Sequence, residues 1–246
     1  SWKGENSMQK KKHIRFGKIS QYRDIIRNVN HQSQFEGFDQ DGEPIYNLNK
    51  EKPKLTFFGT VKLHGTNGSV VTNGEEVWYQ SRRRIVTPTS DNHNFSQFCI
   101  ARQESFNKLL EQAKTRTTEK DAIISIFGEY CGEGIANGTA ISKLPKMFVI
   151  FAVKVTVGED SQYVNPTDLR DPENQIFNIY DFEMFRVEVD FECPEVAQNK
   201  FVELVNYVEA ECPVGKALGS KGIGEGIVWI GMYDGVRHVF KTKGEK

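Results

Sequence analysis

Three Asx-Gly dipeptides, each set between runs that read as strands, most constrain what this chain can fold into. Asp41-Gly42 separates Phe35 to Phe38 from Pro44 to Leu48, and Asn73-Gly74 separates Ser69 to Thr72 from Val77 to Ser81. Asp234-Gly235 separates Gly226 to Tyr233 from Val236 to Lys243. Two-residue turns of this composition accept positive φ, and their twist suits antiparallel neighbours. Hairpins near both ends of the chain and in its first half therefore call for antiparallel sheet.

The rest of the pattern fills in around them. Lys54 to Val61 reads as a strand, and Ala122 to Tyr130 and Met147 to Val155 are apolar, β-branched and aromatic, as buried central strands are. Gly132 to Gly138 between those two strands is a loop. Ser20 is placed to cap a short helix through about Val29, with Tyr22, Ile25, Ile26 and Val29 at helical spacing. Phe95, Phe98, Cys99, Phe106, Leu109, Leu110 and Ala113 form the apolar stripe of one amphipathic helix within 94–116, and Pro194 to Glu211 predicts another. Helices inserted between hairpins, without a regular βαβ rhythm, predict the α+β class. Residues 1–12, polar and lysine-rich, are expected to be a disordered leader or an added segment, leaving 13–246 as one domain.

Composition narrows the function classes. At 246 residues, 38% apolar with 17 Phe and 8 Tyr, the chain can bury a large core. Lys and Arg number 32 against 33 Asp and Glu, a net charge of -1, so any basic surface must be local. Cys99, Cys131, Cys193 and Cys212 include no C-x-x-C pair, which argues against a zinc knuckle or a disulfide framework. No apolar run reaches the roughly 18 residues of a membrane span. A soluble protein of an intracellular, cytoplasmic compartment is expected, with no membrane partner.

Common catalytic signatures fail. Gly215-Lys216 lacks the earlier glycine and the Ser/Thr of a Walker A loop, and Gly222-Ile223-Gly224-Glu225-Gly226 opens a strand where a dinucleotide fingerprint opens a helix. The five histidines show no local nucleophile signature. What remains is Lys62, directly after a strand in Val61-Lys62-Leu63-His64-Gly65-Thr66-Asn67-Gly68. A strand-end lysine is ordinarily a solvated charge. An amine can instead be a covalent nucleophile, provided nearby cations or desolvation favour its neutral form. Lys241 and Lys243, on alternate positions of the last strand and so on one face, are the candidate cations.

Lys62-Leu63-His64-Gly65-Thr66-Asn67 is followed in order by Ser81-Arg82, Phe127-Gly128-Glu129, Phe148-Val149-Ile150-Phe151, Glu225-Gly226-Ile227-Val228 and Lys241-Thr242-Lys243. The series, over roughly Leu55 to Lys243, resembles the motifs of covalent nucleotidyltransferases, the superfamily of ATP-dependent ligases and RNA capping enzymes. With histidine at 64 it resembles the RNA ligase 2-like branch, which includes phage RNA ligases and kinetoplastid editing ligases. The resemblance implies an ATP-grasp-like ligase adenylation fold with antiparallel sheets and packed helices. It also implies an ATP-dependent RNA ligase that joins an RNA 5′-phosphate to a 3′-hydroxyl through lysyl-AMP.

By that resemblance Lys62 is the nucleophile, Lys241 and Lys243 hold the α-phosphate, and Glu225 contacts Mg²⁺ or Mn²⁺. Glu129 would bind the ribose, Phe148 would stack on adenine, and Arg82 would reach the ribose or the acceptor phosphate. His64 and Asn67 would order the turn and position phosphates, while Arg83 and Arg84 extend a basic run toward RNA or solvent. A monomer is expected, in a host cytoplasm if phage-encoded, with the C-terminal domain that many such ligases append absent. The competing readings are a DNA ligase, a capping guanylyltransferase, or a catalytically silent module that binds RNA ends.

Overall fold

The computed structural model describes residues 9–244, which divide into two compact units. Unit 1 holds 9–17 and 63–181, and unit 2 holds 18–62 and 182–244. The chain opens unit 2 with α1 (Tyr22–Gln34), the hairpin β1 (Phe35–Phe38) and β2 (Pro44–Tyr46), and β3 (Lys54–Lys62). Unit 1 follows with β4 (Thr66–Thr72), β5 (Val77–Ser81), β6 (Ile85–Val86), α2 (Phe95–Ile100), α3 (Gln103–Lys114), β7 (Ile123–Cys131), β8 (Met147–Val157), β9 (Asp160–Val164) and β10 (Ile176–Asn178). Unit 2 then closes with β11 (Met184–Asp190), α4 (Gln198–Ala210), α5 (Pro213–Ala217), β12 (Gly226–Tyr233) and β13 (Val236–Lys243). The antiparallel α+β class is as expected.

In unit 2 the strand order is β11-β3-β12-β13, all antiparallel. Alternation sorts its side chains cleanly. Phe57, Val61, Ile227, Trp229 and Phe240 point to one face and are at most 3% exposed, packed under α1 and α4. Phe201 of α4 lies 5.0 Å from the Trp229 ring and 5.3 Å from Phe240, so aromatic edges knit helix to sheet. Each such ring contributes about 1.5–3 kcal/mol by burial. The Asp234-Gly235 turn has φ of 47° and 78°, the left-handed pair that a tight hairpin demands.

In unit 1 the order is β10-β8-β7-β4-β5-β6, with β9 also on β8 and β10 running parallel to it. One face carries Val70, Ile126, Phe148 and Ile150 against Phe95, Phe98, Phe106 and Leu110 of α2 and α3. The other is strapped by residues 13–17: Phe16 sits 5.2 Å from Phe127 and 5.1 Å from Phe151, and Gln80 bonds the Ile14 backbone in both directions. Of the expected leader, 1–8 lie outside the described residues. Gln9 and Lys12 belong to unit 1: Gln9 Nε2 donates to the carbonyls of Asp121 and Thr156, and Lys12 Nζ to that of Gly158.

Several elements differ from expectation, among them β6, β9, β10 and α5, which the sequence pattern does not announce. α1 starts at Tyr22 with Gln21 and Asp24 as a capping box, and runs on to Gln34 because Val29 and Ser33 continue its buried stripe. The single helix expected within 94–116 is two. Arg102, at φ −119°, breaks it and turns its guanidinium onto the Phe98 ring and the Asn174 carbonyl. β11 alternates Phe185, Val187 and Val189 inward, a period of two that the sequence itself carries.

Candidate active site

Lys62 is the last residue of β3, and the sheet register decides what stands beside it. Lys62 pairs with Gly226 on β12, and Gly226 pairs with Lys243 on β13. The next row on the same face is Thr60, Val228 and Lys241. Two inter-strand spacings put the Lys62 and Lys243 backbones roughly 10 Å apart, with no side chain between them. Glycine is needed at 226: a Cβ there would lie 2.2 Å from the Thr242 carbonyl oxygen and 2.9 Å from the Lys243 Cβ. The Glu-Gly dipeptide therefore does two jobs, because Gly226 keeps the gap open and Glu225 closes one side of it.

Lys62 Nζ donates to Glu225 Oε1 at 3.0 Å, and the two side chains are 21% and 20% exposed. A half-hidden pair of this kind is a poor source of stability, since desolvation offsets most of the Coulomb gain. A solvated strand-end lysine would need neither cover nor counter-charge. The geometry is that of an amine held in place.

Unit 1 carries the other residues that the sequence singles out. His64 and Gly65 form the turn into β4, which is pressed onto β7: a Cβ on Gly65 would meet the Tyr130 carbonyl oxygen at 2.3 Å. Asn67 and Glu129 are register partners across β4 and β7, so both half-buried side chains share a face. Thr66 Oγ1 accepts from Asn92 Nδ2, and the Tyr130 hydroxyl donates to the His93 carbonyl, tying β4 and β7 to the 91–94 loop. Arg82 and Arg83 are exposed at the β5–β6 turn. Arg84 instead donates to the Ser90 and Asp91 carbonyls, so it shapes the turn.

Phe148 is a correction to the expected site. It pairs with Tyr130, one position out of phase with Glu129, and so points to the helix-covered face. There it is fully buried, 5.5 Å from Phe95 and 5.8 Å from Phe106, in the space that Gly128 leaves by lacking a Cβ. Its ring packs the core and is not presented to a nucleotide. Val149, opposite Glu129, is the residue of that motif on the Asn67 and Glu129 face, and the two-residue phase of a strand was the signal that could have found it.

Asp91 organises the start of α2. Its carboxylate accepts from the Asn92, Ser96 and Gln97 amides and the Ser96 hydroxyl. Burial works to raise its pKa, but those hydrogen bonds outweigh it and hold the carboxyl below its ordinary value. Among the described residues no three His, Cys, Asp or Glu side chains converge as a metal cluster. Glu225 offers a single carboxylate, which suits a hard cation that keeps most of its water and shares phosphate oxygens.

A lysine, a Glu-Gly and a Lys-x-Lys thus share the antiparallel sheet of unit 2, and Asn67 and Glu129 share a face of the unit 1 sheet. The RNA ligase family profile matches residues 55–243, and the chain belongs to that family. Among solved structures it is similar to a Naegleria gruberi RNA ligase with PPi, at TM-score 0.56 and 16% identity over 94% of this chain and 56% of that one. A mutant of that ligase with ATP and Mn gives TM-score 0.54 at 16% identity over 93% and 55%, and one with AMP and Mn gives 0.55 at 16% over 97% and 56%. The chain thus spans a little over half the length of those structures. No curated protein matches it.

Proposed function

We propose that this chain is the adenylyltransferase part of an ATP-dependent RNA ligase, in which Lys62 attacks the α-phosphorus of ATP, expels pyrophosphate and becomes lysyl-AMP. AMP then passes to an RNA 5′-phosphate, and a 3′-hydroxyl displaces it to form the phosphodiester. The observation that carries this reading is the row Lys62, Gly226 and Lys243 with Glu225 on the Lys62 amine.

The residues divide the work by their chemistry. Glu225 aims the amine through its 3.0 Å contact. A divalent cation, Mg²⁺ or Mn²⁺, would draw on the same carboxylate and would neutralise phosphate charge when bound. Lys241 and Lys243 stand on the same sheet face as the Lys62 amine. Those two lysines meet the α-phosphate and the charge that develops during displacement, a purely positional and electrostatic contribution. Glu129 and Asn67, sharing a face, offer a carboxylate and an amide to ribose hydroxyls and phosphate. Arg82, exposed on its turn, is available to the acceptor phosphate, and His64 orders the turn after Lys62.

Incubation with α-labelled ATP or GTP followed by a denaturing gel tests the reading. Label retained from ATP, and lost in Lys62→Ala, is the expected result. Label from GTP alone would favour a capping guanylyltransferase, and no label from either would leave a silent module.

A further inference from the structure

The face of the unit 2 sheet turned away from α1 and α4 continues well past the reactive end. Below the row of Lys62, Gly226 and Lys243 lies Met184, Thr60, Val228 and Lys241, and below that Arg186, Phe58, Ile230 and Val239. Glu188, Thr56, Met232 and Arg237 share the same face further on. Phe58 lies on an interior strand of a four-stranded sheet, yet it is 51% exposed, and Met232 is 57% exposed. The fold gains little from an aromatic ring left in water at that place.

We propose that this face carries the RNA strand toward Lys62, with a base stacked on Phe58 and the phosphate backbone met by Arg186 and Lys241. The inference rests on the ligase reading above and adds where the strand lies. Charge favours it: Lys62, Lys241, Lys243, Arg186 and Arg237 stand there against Glu188 and the Glu225 carboxylate on the Lys62 amine, in a chain whose net charge is -1. So does the layout, because Phe58, Val228, Ile230 and Met232 stand on the two middle strands, with Arg186 on β11 and Arg237 on β13 flanking them beside Met184 and Val239. Bases stack on a sheet-borne ring while cations at the margins follow the phosphates. Phe58 is four residues from Lys62 along β3, about 13 Å, which puts the stacked base a short way from the reacting end. A second exposed apolar patch, Phe35, Phe38, Ile45 and Tyr46 on the β1–β2 hairpin, carries Glu36, Asp39, Asp41 and Glu43 and would repel the same strand.

The test measures binding of fluorescent 5′-phosphorylated RNA, single-stranded and nicked duplex, to the full chain over a salt series, beside covalent labelling from ATP. Phe58→Ala is expected to weaken RNA binding on the order of tenfold, the loss of one stacked base. Phe58→Tyr should restore it, and Arg186→Ala should lower the salt slope by about one. Labelling of Lys62 should be unchanged in all three, since neither position reaches it. RNA affinity in Phe58→Ala equal to that of the parent, with the thermal melt also unchanged, would overturn the proposal and leave the face to a protein segment. Failure of the parent chain to label would count against the ligase reading alone, and the binding comparison would still decide the track.

Discussion

The two sheets of this protein spend their faces differently. The unit 1 sheet is covered on both sides, by α2 and α3 on one and by residues 13–17 on the other. The unit 2 sheet packs α1 and α4 on one side and, among the described residues, leaves Phe58, Met184 and Met232 exposed on the other. A face that need not make core is free to carry charge, and the lysines stand there. In unit 1 a motif residue must compete with packing. Asn67 and Glu129 stay half-buried at the end of the strapped face, whereas Phe148 has gone to the core.

The contrast can be broken most sharply at Lys62. Lys62→Ala should abolish covalent label from α-labelled ATP while the protein still gives a cooperative circular dichroism melt, although the Glu225 carboxylate loses its counter-charge. Phe148→Ala should do the opposite, costing about 3–5 kcal/mol in denaturant unfolding, and the volume-saving Phe148→Leu should keep ATP labelling. If Phe148→Leu lost labelling while remaining fully folded, the ring would belong to the site and the contrast would fail.

Lys241→Ala and Glu225→Ala should each slow lysyl-AMP formation by on the order of 10²-fold in single-turnover gels, the usual loss for one positioned electrostatic group. Equal rates in both variants and the parent would detach that row from the chemistry.

The smallest effect expected is at Asp91. Asp91→Ala removes the cap of α2 and should cost about 1 kcal/mol at neutral pH. Because the folded-state carboxyl sits below its ordinary value, its contribution is complete above the unfolded-state pKa and fades as pH falls through the folded one. Unfolding curves of variant and parent should therefore converge in acid. A gap that persisted there would show that the hydrogen bonds, and not the charge, hold the helix.

Much of this was legible in the residues. The Asx-Gly turns place the hairpins that form as β4–β5 and β12–β13, and the order of short motifs singles out Lys62, Glu225 and Lys241, which register and a hydrogen bond bring together in unit 2. Alternation along a strand also says that Lys241 and Lys243 share a face, because successive side chains point opposite ways. The sequence is silent about register between strands distant in the chain, and there tertiary structure decided. It set Lys62 level with Gly226 and Lys243, sent Phe148 to the helix-covered side, and broke the 94–116 helix where Arg102 found the Asn174 carbonyl. A motif records which side chains recur, whereas pairing and packing across some 160 residues of chain choose which of them meet.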